Sequence, residues 1–334
     1  MSITSCGEPT ARWPYGDRPA SRYEEGSIDV QPREHFHYRP LWAPDKELYD
    51  ESWSALRLTD PYSFTDPRQY YYAPYVMARA DMHEAFGKTL QYLESRDLLT
   101  RLPQSWTSLL TDVLLPLRHY ESGAQLVTVT GGRFAYGTTI EQCCSYAAFD
   151  RIGNAQLLSR VGLALGGGSD APLVDAKAAW LQSPQQQGLR RLVEELLVES
   201  DWAVGLIGLD LTDRLLYTLM YRHLDEAALL GGAGAYSLVA QYLATWFADQ
   251  RRWIDALVEA WLADPQHGEA NRAVINGVIE ARLPQAAEAV ALLASAADER
   301  VTAESGASAS SALEAVKRGL VDAGLSVPGS ETHQ

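Results

Sequence analysis

The chain is poor in basic residues and especially in lysine. Its 334 residues include 28 lysines and arginines, of which four are lysine, against 43 aspartates and glutamates, so the formal net charge is −15. An acidic chain of this kind lacks the excess positive charge that binds phosphate backbones. Nucleic acid is therefore excluded as the main partner.

Cysteines and long apolar runs are also scarce. Cys6, Cys143 and Cys144 form neither an even set nor a C-x-x-C pair, and the N-terminal sequence has no apolar signal region. The longest nearly apolar stretch, at 203–211, reaches about half of the roughly 20 residues that a membrane-spanning helix needs. These features predict a cytoplasmic protein without disulfides and without contact with a membrane.

Residues 1–49 differ from the rest of the chain. They contain six of the sixteen prolines and seven aromatic residues, with neither a helical nor a strand period. Burial of seven aromatic rings is worth about 35 kcal/mol, which does not offset the roughly 50–100 kcal/mol of entropy lost on ordering such a segment. We therefore predict an extended arm, neither helix nor strand, that lies on a large pre-formed surface. That surface is either this chain's own helices or, as we favour, another subunit.

Helical periodicity continues from about residue 68 onwards. Apolar residues at 106–117 recur every three or four positions, which predicts an amphipathic helix kinked at Pro116. Similar patterns return at 189–197, 206–219 and 236–261. The hydrophobic fraction of 46% is enough for a large core. The sequence therefore predicts an all-α bundle of long helices packed side by side.

Local signals place several helix ends. Thr138 and Glu141 form a capping-box pattern ahead of a helix that is predicted to end at Leu165, before three glycines. The run VTVTGG at 127–132 is the one β-like stretch, and its two glycines predict a helix break in preference to a strand.

The C-terminal third predicts shorter elements. Two segments are expected at about 269–282 and 285–298, followed by a low-complexity tail with at most one weak helix. The predicted domain organisation is an arm at 1–49, a bundle at 50–298 and the tail at 299–334.

A long-helix bundle raises the question of a di-iron centre, which needs two Glu-x-x-His pairs together with a Glu from each of two further helices. Only Glu34 and His37 have this spacing, and they lie in the proline-rich arm. Asp264 and His267 are separated by Pro265, which interrupts the helix. The sequence therefore lacks the ligand set of a di-iron site.

Other motifs predict no chemistry either. Gly166–Gly168 have no Lys-Ser/Thr of a phosphate loop, and Gly232–Gly234 lack the third glycine of a dinucleotide fingerprint. Cys143 and Cys144 lie in mid-helix, where burial is the expected role. We predict no catalytic, cofactor-binding or metal-binding residue in this chain.

Several segments, in this order, resemble the β subunit of the hydroxylase component of bacterial multicomponent di-iron monooxygenases, in the phenol hydroxylase branch. They span most of residues 20–262 and read ASRYEE (20–25), HYRPLW (37–42), LTDPYSFTDPRQYYYAPYVMARADM (58–82), LLTRLP (98–103), LPLRHYE (115–121), FDRIGNAQLLSRVGLAL (149–165) and QGLRRLVEELLVESDW (187–202). The stretch at 127–137 and the tail beyond about 299 depart from the family's pattern.

The resemblance implies a ferritin-like subunit that holds no iron itself. A large α subunit would carry the di-iron centre, and β would pair with it in a dimer of heterotrimers completed by a small γ subunit. A regulatory protein and a reductase with FAD and a 2Fe–2S cluster would complete the system. The implied reaction is NADH- and O₂-dependent hydroxylation of phenol or a related aromatic of the toluene type, with β as a scaffold.

The predicted contacts with the partner lie in the arm and in a tyrosine cluster. They are Trp13, Tyr23, His37, Tyr38, Arg39, Trp42, Tyr70, Tyr71 and Tyr72. The alternative for these residues is packing on the chain's own bundle.

Two other functions stay open from the sequence. One is a self-contained ferritin-like metalloenzyme or oxidase with carboxylate ligands drawn from Glu94, Glu121 and Glu141, or from Glu194 and Glu195. The other is a helical adaptor protein unrelated to oxygen chemistry.

Overall fold

The regular secondary structure is helical throughout the part of the chain that the computed structural model describes, namely residues 19–27, 31, 41 and 43–328. The prediction of an all-α fold is confirmed. The helices are α1 (Arg22–Ser27), α2 (Tyr72–Ser95), α3 (Gln104–Leu109), α4 (Leu117–Phe134), α5 (Thr138–Leu165), α6 (Ala171–Gln182), α7 (Pro184–Leu197), α8 (Trp202–Thr218), α9 (Leu224–Leu230), α10 (Gly234–Ala263), α11 (Gly268–Asp298) and α12 (Ser305–Asp322). None of these helices is both long and apolar enough to span a bilayer.

The helices α4, α5, α8 and α10 surround the centre of the molecule, and α2 packs against α5 and α10 on one side. On the other side α7 and α11 pack against α4 and α8. The periodicity at 106–117 corresponds to α3, a π-helical turn at Leu110–Leu114, and the start of α4. Leu115 and Pro116 keep right-handed helical backbone angles, so the chain runs from the π-helical turn into α4 through Pro116, where the α-helical hydrogen-bond pattern is interrupted.

The predicted helix break at Gly131–Gly132 is wrong, because α4 continues through both glycines to Phe134. The two glycines allow α4 and α5 to approach closely. A Cβ added at Gly131 would lie 2.7 Å from the Cys144 sulfur, and one at Gly132 would lie 2.6 Å from the Ser145 hydroxyl. Tertiary packing therefore outweighs the low helix propensity of glycine here.

The bounds predicted for α5 are confirmed at Thr138 and Leu165, but the predicted capping box is wrong. The N-cap residue is Gly137, and the Glu141 carboxylate accepts a hydrogen bond from the Ser145 hydroxyl at 3.0 Å. Gly137 has a φ of +118°, a conformation open to glycine because it has no Cβ. Its backbone fixes the sharp turn from α4 into α5.

The two short segments predicted at 269–282 and 285–298 are one helix, α11, with Pro284 inside it. Proline removes one backbone hydrogen bond from a helix. The flanking residues Leu283 and Ala286 are fully buried, and α11 packs along α7 and α8. This burial offsets the lost hydrogen bond and keeps the helix continuous.

The described part of the tail contains one helix, α12, in agreement with the prediction of at most one. In α12, Ala312, Val316 and Leu320 are buried against the bundle. The Asp298 carboxylate accepts hydrogen bonds from the backbone N–H groups of Ser305 and Gly306 at 2.7 and 2.9 Å, which fixes the start of α12.

The described part of the arm lies on the chain's own helices. It includes the short helix α1, which corrects the prediction of an arm without helices. The Gln31 amide donates a hydrogen bond to the carbonyl of Ala135 at 2.9 Å, and its oxygen accepts one from the N–H of Gly137 at 3.0 Å. Gln142 of α5 donates a hydrogen bond to the carbonyl of Gly26 at 3.0 Å. These contacts fasten the arm to the α4–α5 turn.

Candidate functional site

Three charged residues from three helices meet at the centre of the bundle. Arg151 of α5 lies 3.1 Å from a carboxylate oxygen of Glu121 on α4, and its other terminal nitrogen donates to Asp213 on α8. All three side chains are at most 2% exposed. We call Glu121, Arg151 and Asp213 the central cluster. Burial of these charges is tolerated because each carboxylate is paired with the guanidinium.

Two tyrosines complete the hydrogen bonding of the carboxylates. The hydroxyl of Tyr120 donates to Asp213 at 2.7 Å, and that of Tyr217 donates to Glu121 at 2.5 Å. Burial raises the pKa of Asp213 to about 6, and the nearby charge of Arg151 opposes this rise. Burial also raises the pKa of both tyrosines well above its usual range, so they remain donors.

A second buried network lies beside the first, where α2 meets α5 and α10. The guanidinium of Arg79 lies 2.8 Å from a carboxylate oxygen of Asp150 and 2.6 Å from one of Asp249. Arg68 pairs with Asp66 at 3.0 Å, and its guanidinium is also 3.5 Å from Asp249. The network therefore joins the segment before α2 to three helices.

Trp246 of α10 connects the two networks. Its indole nitrogen donates to Asp150 at 2.9 Å, and its ring lies 4.8 Å from the guanidinium carbon of Arg151. The adjacent residues Asp150 and Arg151 thus belong to different networks on opposite sides of one tryptophan. Neither network is predicted from the sequence. Asp150 and Arg151 are two adjacent charges in the middle of a predicted long helix, and this is the pattern from which they could have been found.

The cysteines have the buried role that the sequence predicted. Cys143 and Cys144 are at most 1% exposed, and burial raises the pKa of both thiols. The Cys143 thiol donates to the carboxylate of Asp66 at 3.4 Å. A protonated, inaccessible thiol is a poor nucleophile, so these residues contribute to packing.

The side chains at the bundle centre do not fit a di-iron centre. Glu121 and Asp213 come from two different helices, as such a site requires, but both are already paired with Arg151. Within the described residues, no three His, Cys, Asp or Glu side chains lie close enough together to hold a metal ion.

The alternative ligand set of a self-contained metalloenzyme is not brought together either. Glu94 is exposed at the end of α2, and Glu141 lies in the first turn of α5. Glu194 and Glu195 pair with Arg190 and Arg191 along the surface of α7. Of the carboxylates named for that function, only Glu121 reaches the centre.

The predicted contact residues lie in different environments. Tyr23 is buried, and its hydroxyl accepts a hydrogen bond from the backbone N–H of Asp66 at 2.8 Å. The ring of Tyr70 lies 4.8 Å from the guanidinium carbon of Arg68. Tyr71 packs beside Gly26, and Tyr72 is 71% exposed. The remaining predicted contacts lie outside the described residues, namely Trp13, His37, Tyr38, Arg39 and Trp42.

Four exposed apolar side chains lie on the outer face of the α4–α5 pair. They are Leu126, Val129, Phe149 and Ile152, with exposures of 50, 39, 57 and 52%. The two helices are antiparallel, since Gly132 packs against Ser145 at one end and Arg118 donates to Ser159 at the other. This register places the four residues at the same level, so they form one patch, which we call the α4–α5 patch. Sequence periodicity does not reveal it, because it lies opposite the core face.

A sequence model of the methane/phenol/alkene hydroxylase family matches residues 42–265. The chain belongs to this family. The match spans the helices that carry both buried networks.

Individual members of the hydroxylase family are similar along most of their length. The phenol 2-monooxygenase oxygenase component DmpL of Pseudomonas sp. (strain CF600) is 41% identical over 281 residues, or 84% of each chain. The corresponding component MhpL of Acinetobacter pittii (strain PHEA-2) is 39% identical over 76% of this chain and 77% of the relative.

Solved structures of the family show the same fold. A chain of the phenol hydroxylase of Pseudomonas sp. OX1 superimposes with a TM-score of 0.87 at 32% identity, covering 99% of this chain and 100% of the other. A chain of toluene 4-monooxygenase has a TM-score of 0.73 at 22% identity, covering 88% of this chain and 100% of that one. The second likeness supports the fold alone.

Proposed function

We propose that the chain is the structural β subunit of the hydroxylase in a cytoplasmic multicomponent monooxygenase that hydroxylates phenol or a related aromatic. The observation that carries this proposal is the 41% identity, over 84% of both chains, to the oxygenase component of a phenol 2-monooxygenase. In this assignment the di-iron centre lies in a larger α subunit, and this chain contributes no catalytic residue.

The central cluster supports a structural role. A guanidinium and two carboxylates join α4, α5 and α8 where a di-iron protein of this architecture would have metal ligands. An ion pair in this position gives the helices a defined register without supplying a redox centre. The chain can therefore present a fixed helical surface to a catalytic subunit.

The arm and the α4–α5 patch are the proposed contacts with that subunit. Obligate interfaces bury several thousand Å² and are rich in aromatic residues and arginine. The arm supplies such residues at Trp13, Tyr38, Arg39 and Trp42, and the patch supplies apolar area on rigid helices. Tyr72 is exposed and completes the set at the start of α2.

The remaining components of the proposed system are those that the family resemblance implies. Hydroxylation with O₂ consumes two electrons, and in this assignment a reductase with FAD and a 2Fe–2S cluster would deliver them from NADH. We propose that a small γ subunit completes each protomer, that two protomers form a dimer of heterotrimers, and that a regulatory protein binds this assembly.

Co-expression with a large subunit carrying two Glu-x-x-His motifs tests this function. We expect the two chains to co-purify, the iron to follow the large chain, and phenol hydroxylation to require both chains together with a reductase and NADH. The matched control is the full chain expressed alone, which should contain no stoichiometric iron. A single chain that holds two irons and reduces O₂ would contradict the proposal.

A further inference from the structure

The four helices around Arg151 each direct side chains to the same region. In ferritin-like di-iron proteins, two of four helices supply one Glu each and the other two supply a Glu-x-x-His pair each. Here α4 and α8 supply the single carboxylates of Glu121 and Asp213. The helix α5 supplies Arg151 and, three residues later, Asn154, and each of these is 1% exposed.

The fourth helix has the same spacing. On α10, the ring of Phe247 lies 4.7 Å from that of Tyr217, and Gln250 follows three residues later, fully buried. The pairs Arg151-x-x-Asn154 and Phe247-x-x-Gln250 therefore have the spacing, and lie on the helices, where two Glu-x-x-His pairs would be expected.

We propose that the guanidinium of Arg151 occupies the position that a metal ion holds in di-iron bundles of this architecture, and that it excludes divalent metal ions from the space between Glu121 and Asp213. The two terminal nitrogens of Arg151 contact carboxylates from two different helices, as one metal ion between them would. This inference concerns the chain alone and does not depend on the proposed subunit role.

The surroundings of the carboxylates support this inference. Tyr217 and Tyr120 hydrogen-bond the carboxylate oxygens of Glu121 and Asp213, which is how outer groups orient metal ligands. Removal of the guanidinium would leave two oriented carboxylates facing one space. Oxygen ligands of this kind suit hard divalent ions such as Mn²⁺.

Stability alone does not explain the cluster. Replacing a buried ion pair by packed apolar residues is often neutral or stabilising, so a core does not need one. In addition, Arg151 Nε, Asn154 Nδ2 and the Tyr221 hydroxyl are buried without a hydrogen-bond partner in the described part of the chain. Buried polar groups without partners are what we expect where side chains from four helices are arranged around the position of a metal ion.

The test replaces Arg151 by alanine in the full chain and adds Mn²⁺. We expect Mn²⁺ to raise the Tm of Arg151→Ala, on the order of 5 °C at about a hundred times its dissociation constant, and to leave the unsubstituted chain unchanged. Electron paramagnetic resonance should show about one immobilised Mn²⁺ per chain. The variant Arg151→Lys keeps the charge and should bind none.

A matched double variant separates this site from other carboxylates. In Arg151→Ala/Asp213→Asn one ligand is lost, so the stabilisation by Mn²⁺ should disappear. Methylguanidinium, added below denaturing concentrations, should also stabilise Arg151→Ala because it replaces the missing cation. Stabilisation by neither cation, or equal stabilisation of the double variant, would overturn the proposal.

A second variant covers the case in which Arg151→Ala does not fold. Arg151→Glu/Asn154→His restores one Glu-x-x-His pair on α5, and it should be soluble when expressed with added Mn²⁺ or Fe²⁺ and insoluble without them. If both variants remain insoluble with metal and with methylguanidinium, Arg151 is an irreplaceable part of the core and the proposal is wrong. If the metal site forms but the variant chain no longer pairs with the large subunit, only the proposed function is affected.

Discussion

The guanidinium of Arg151 lies 3.1 Å from the carboxylate of Glu121, and each side chain is 1% exposed. The two residues are 30 positions apart and belong to neighbouring antiparallel helices. Charges this deeply buried interact strongly with each other, but either one alone in the same place would be strongly destabilising. The pair therefore makes correct packing of α4 on α5 a condition of folding.

Removing the charge of Glu121 should destabilise the chain severely. The substitution Glu121→Gln leaves Arg151 with only Asp213 and weakens the acceptor of the Tyr217 hydroxyl. We expect a loss of about 3–5 kcal/mol in the free energy of unfolding, measured by urea denaturation of the full chain. The control Glu194→Gln breaks an exposed pair with Arg190 and should cost less than about 0.5 kcal/mol.

The triple variant Glu121→Leu/Arg151→Met/Asp213→Asn tests whether the unpaired charge causes this loss. It removes all three charges of the central cluster and keeps similar side-chain volumes, so most of the stability lost in Glu121→Gln should return. A triple variant as unstable as Glu121→Gln would show that the hydrogen bonds to the tyrosines, and not the unpaired charge, dominate.

Arg79 should not tolerate replacement by lysine. Its guanidinium donates from Nε to both oxygens of Asp150 and from Nη2 to Asp249, a geometry that a lysine ammonium cannot reproduce. We expect Arg79→Lys to cost about 2–4 kcal/mol in unfolding free energy. Arg190→Lys on the surface of α7 is the control and should lie within about 0.5 kcal/mol of the unsubstituted chain. Equal effects of the two substitutions would contradict the role of the bidentate contact.

The C-terminal end of α5 could be predicted from the sequence because its signal, three consecutive glycines, is local. Gly167 and Gly168, at the end of α5, have φ values of +59° and +92°, which L side chains rarely adopt. Pro184 occupies the first turn of α7, where its missing N–H costs nothing. Such signals act within a few residues and need no knowledge of the fold.

Other features depend on packing between distant segments. The glycines at 131 and 132 and Pro284 read as helix breakers, yet α4 and α11 continue through them because neighbouring helices bury these turns. The central cluster joins residues 30 and 62 positions apart. Of its two carboxylates, only Glu121 is a candidate ligand from the sequence, because no local pattern connects Asp213 with Glu121.

His119 should make the chain sensitive to mild acid. Burial, together with the neighbouring positive charges of Arg118 and Lys177, lowers its pKa to about 4. The unfolded chain takes up a proton near pH 6.5 and the folded chain does not, so stability falls as the pH drops from about 6.5 to 4. We expect His119→Gln to remove about 2 kcal/mol of this decline, measured by urea midpoints across that range. Parallel pH profiles for the two chains would contradict this expectation.

Deleting residues 1–18 should weaken assembly without unfolding the chain. The contacts of Tyr23 and Gln31 with the bundle lie after the deleted segment and remain. We expect the shortened chain to lose co-purification with the large subunit, because it lacks Trp13, while its Tm stays within a few degrees. Unchanged assembly would remove this segment from the proposed interface.

The α4–α5 patch gives an independent test of the same interface. Phe149→Glu places a charge at a 57% exposed position, so it should barely change the Tm of the chain alone but should reduce co-purification at least tenfold, about 1.4 kcal/mol. Val198→Glu is the control, since Val198 is 82% exposed and is the C-cap residue of α7, which is not part of the α4–α5 pair. Equal losses in both variants would indicate a general effect of added charge.

Gly137 in the turn between α4 and α5 and Gly277 on α11 provide a matched pair of glycine substitutions. Gly137 has a φ of +118°, and a Cβ there would lie 2.5 Å from the carbonyl oxygen of Pro61. Gly277 lies on an exposed face of α11 with nothing within 4 Å of its would-be Cβ. We expect Gly137→Ala to lower the unfolding free energy by about 2–4 kcal/mol through strain and steric clash.

Gly277→Ala should instead raise it by about 0.5–1 kcal/mol, because alanine loses less backbone entropy in a helix. Urea denaturation of both variants, with protease sensitivity of the 19–31 segment as a second readout, checks the pair. Gln31 binds both sides of this turn, so Gly137→Ala should also loosen the arm. A Gly137→Ala chain as stable and as protease-resistant as Gly277→Ala would show that the turn relaxes freely and does not fix the arm.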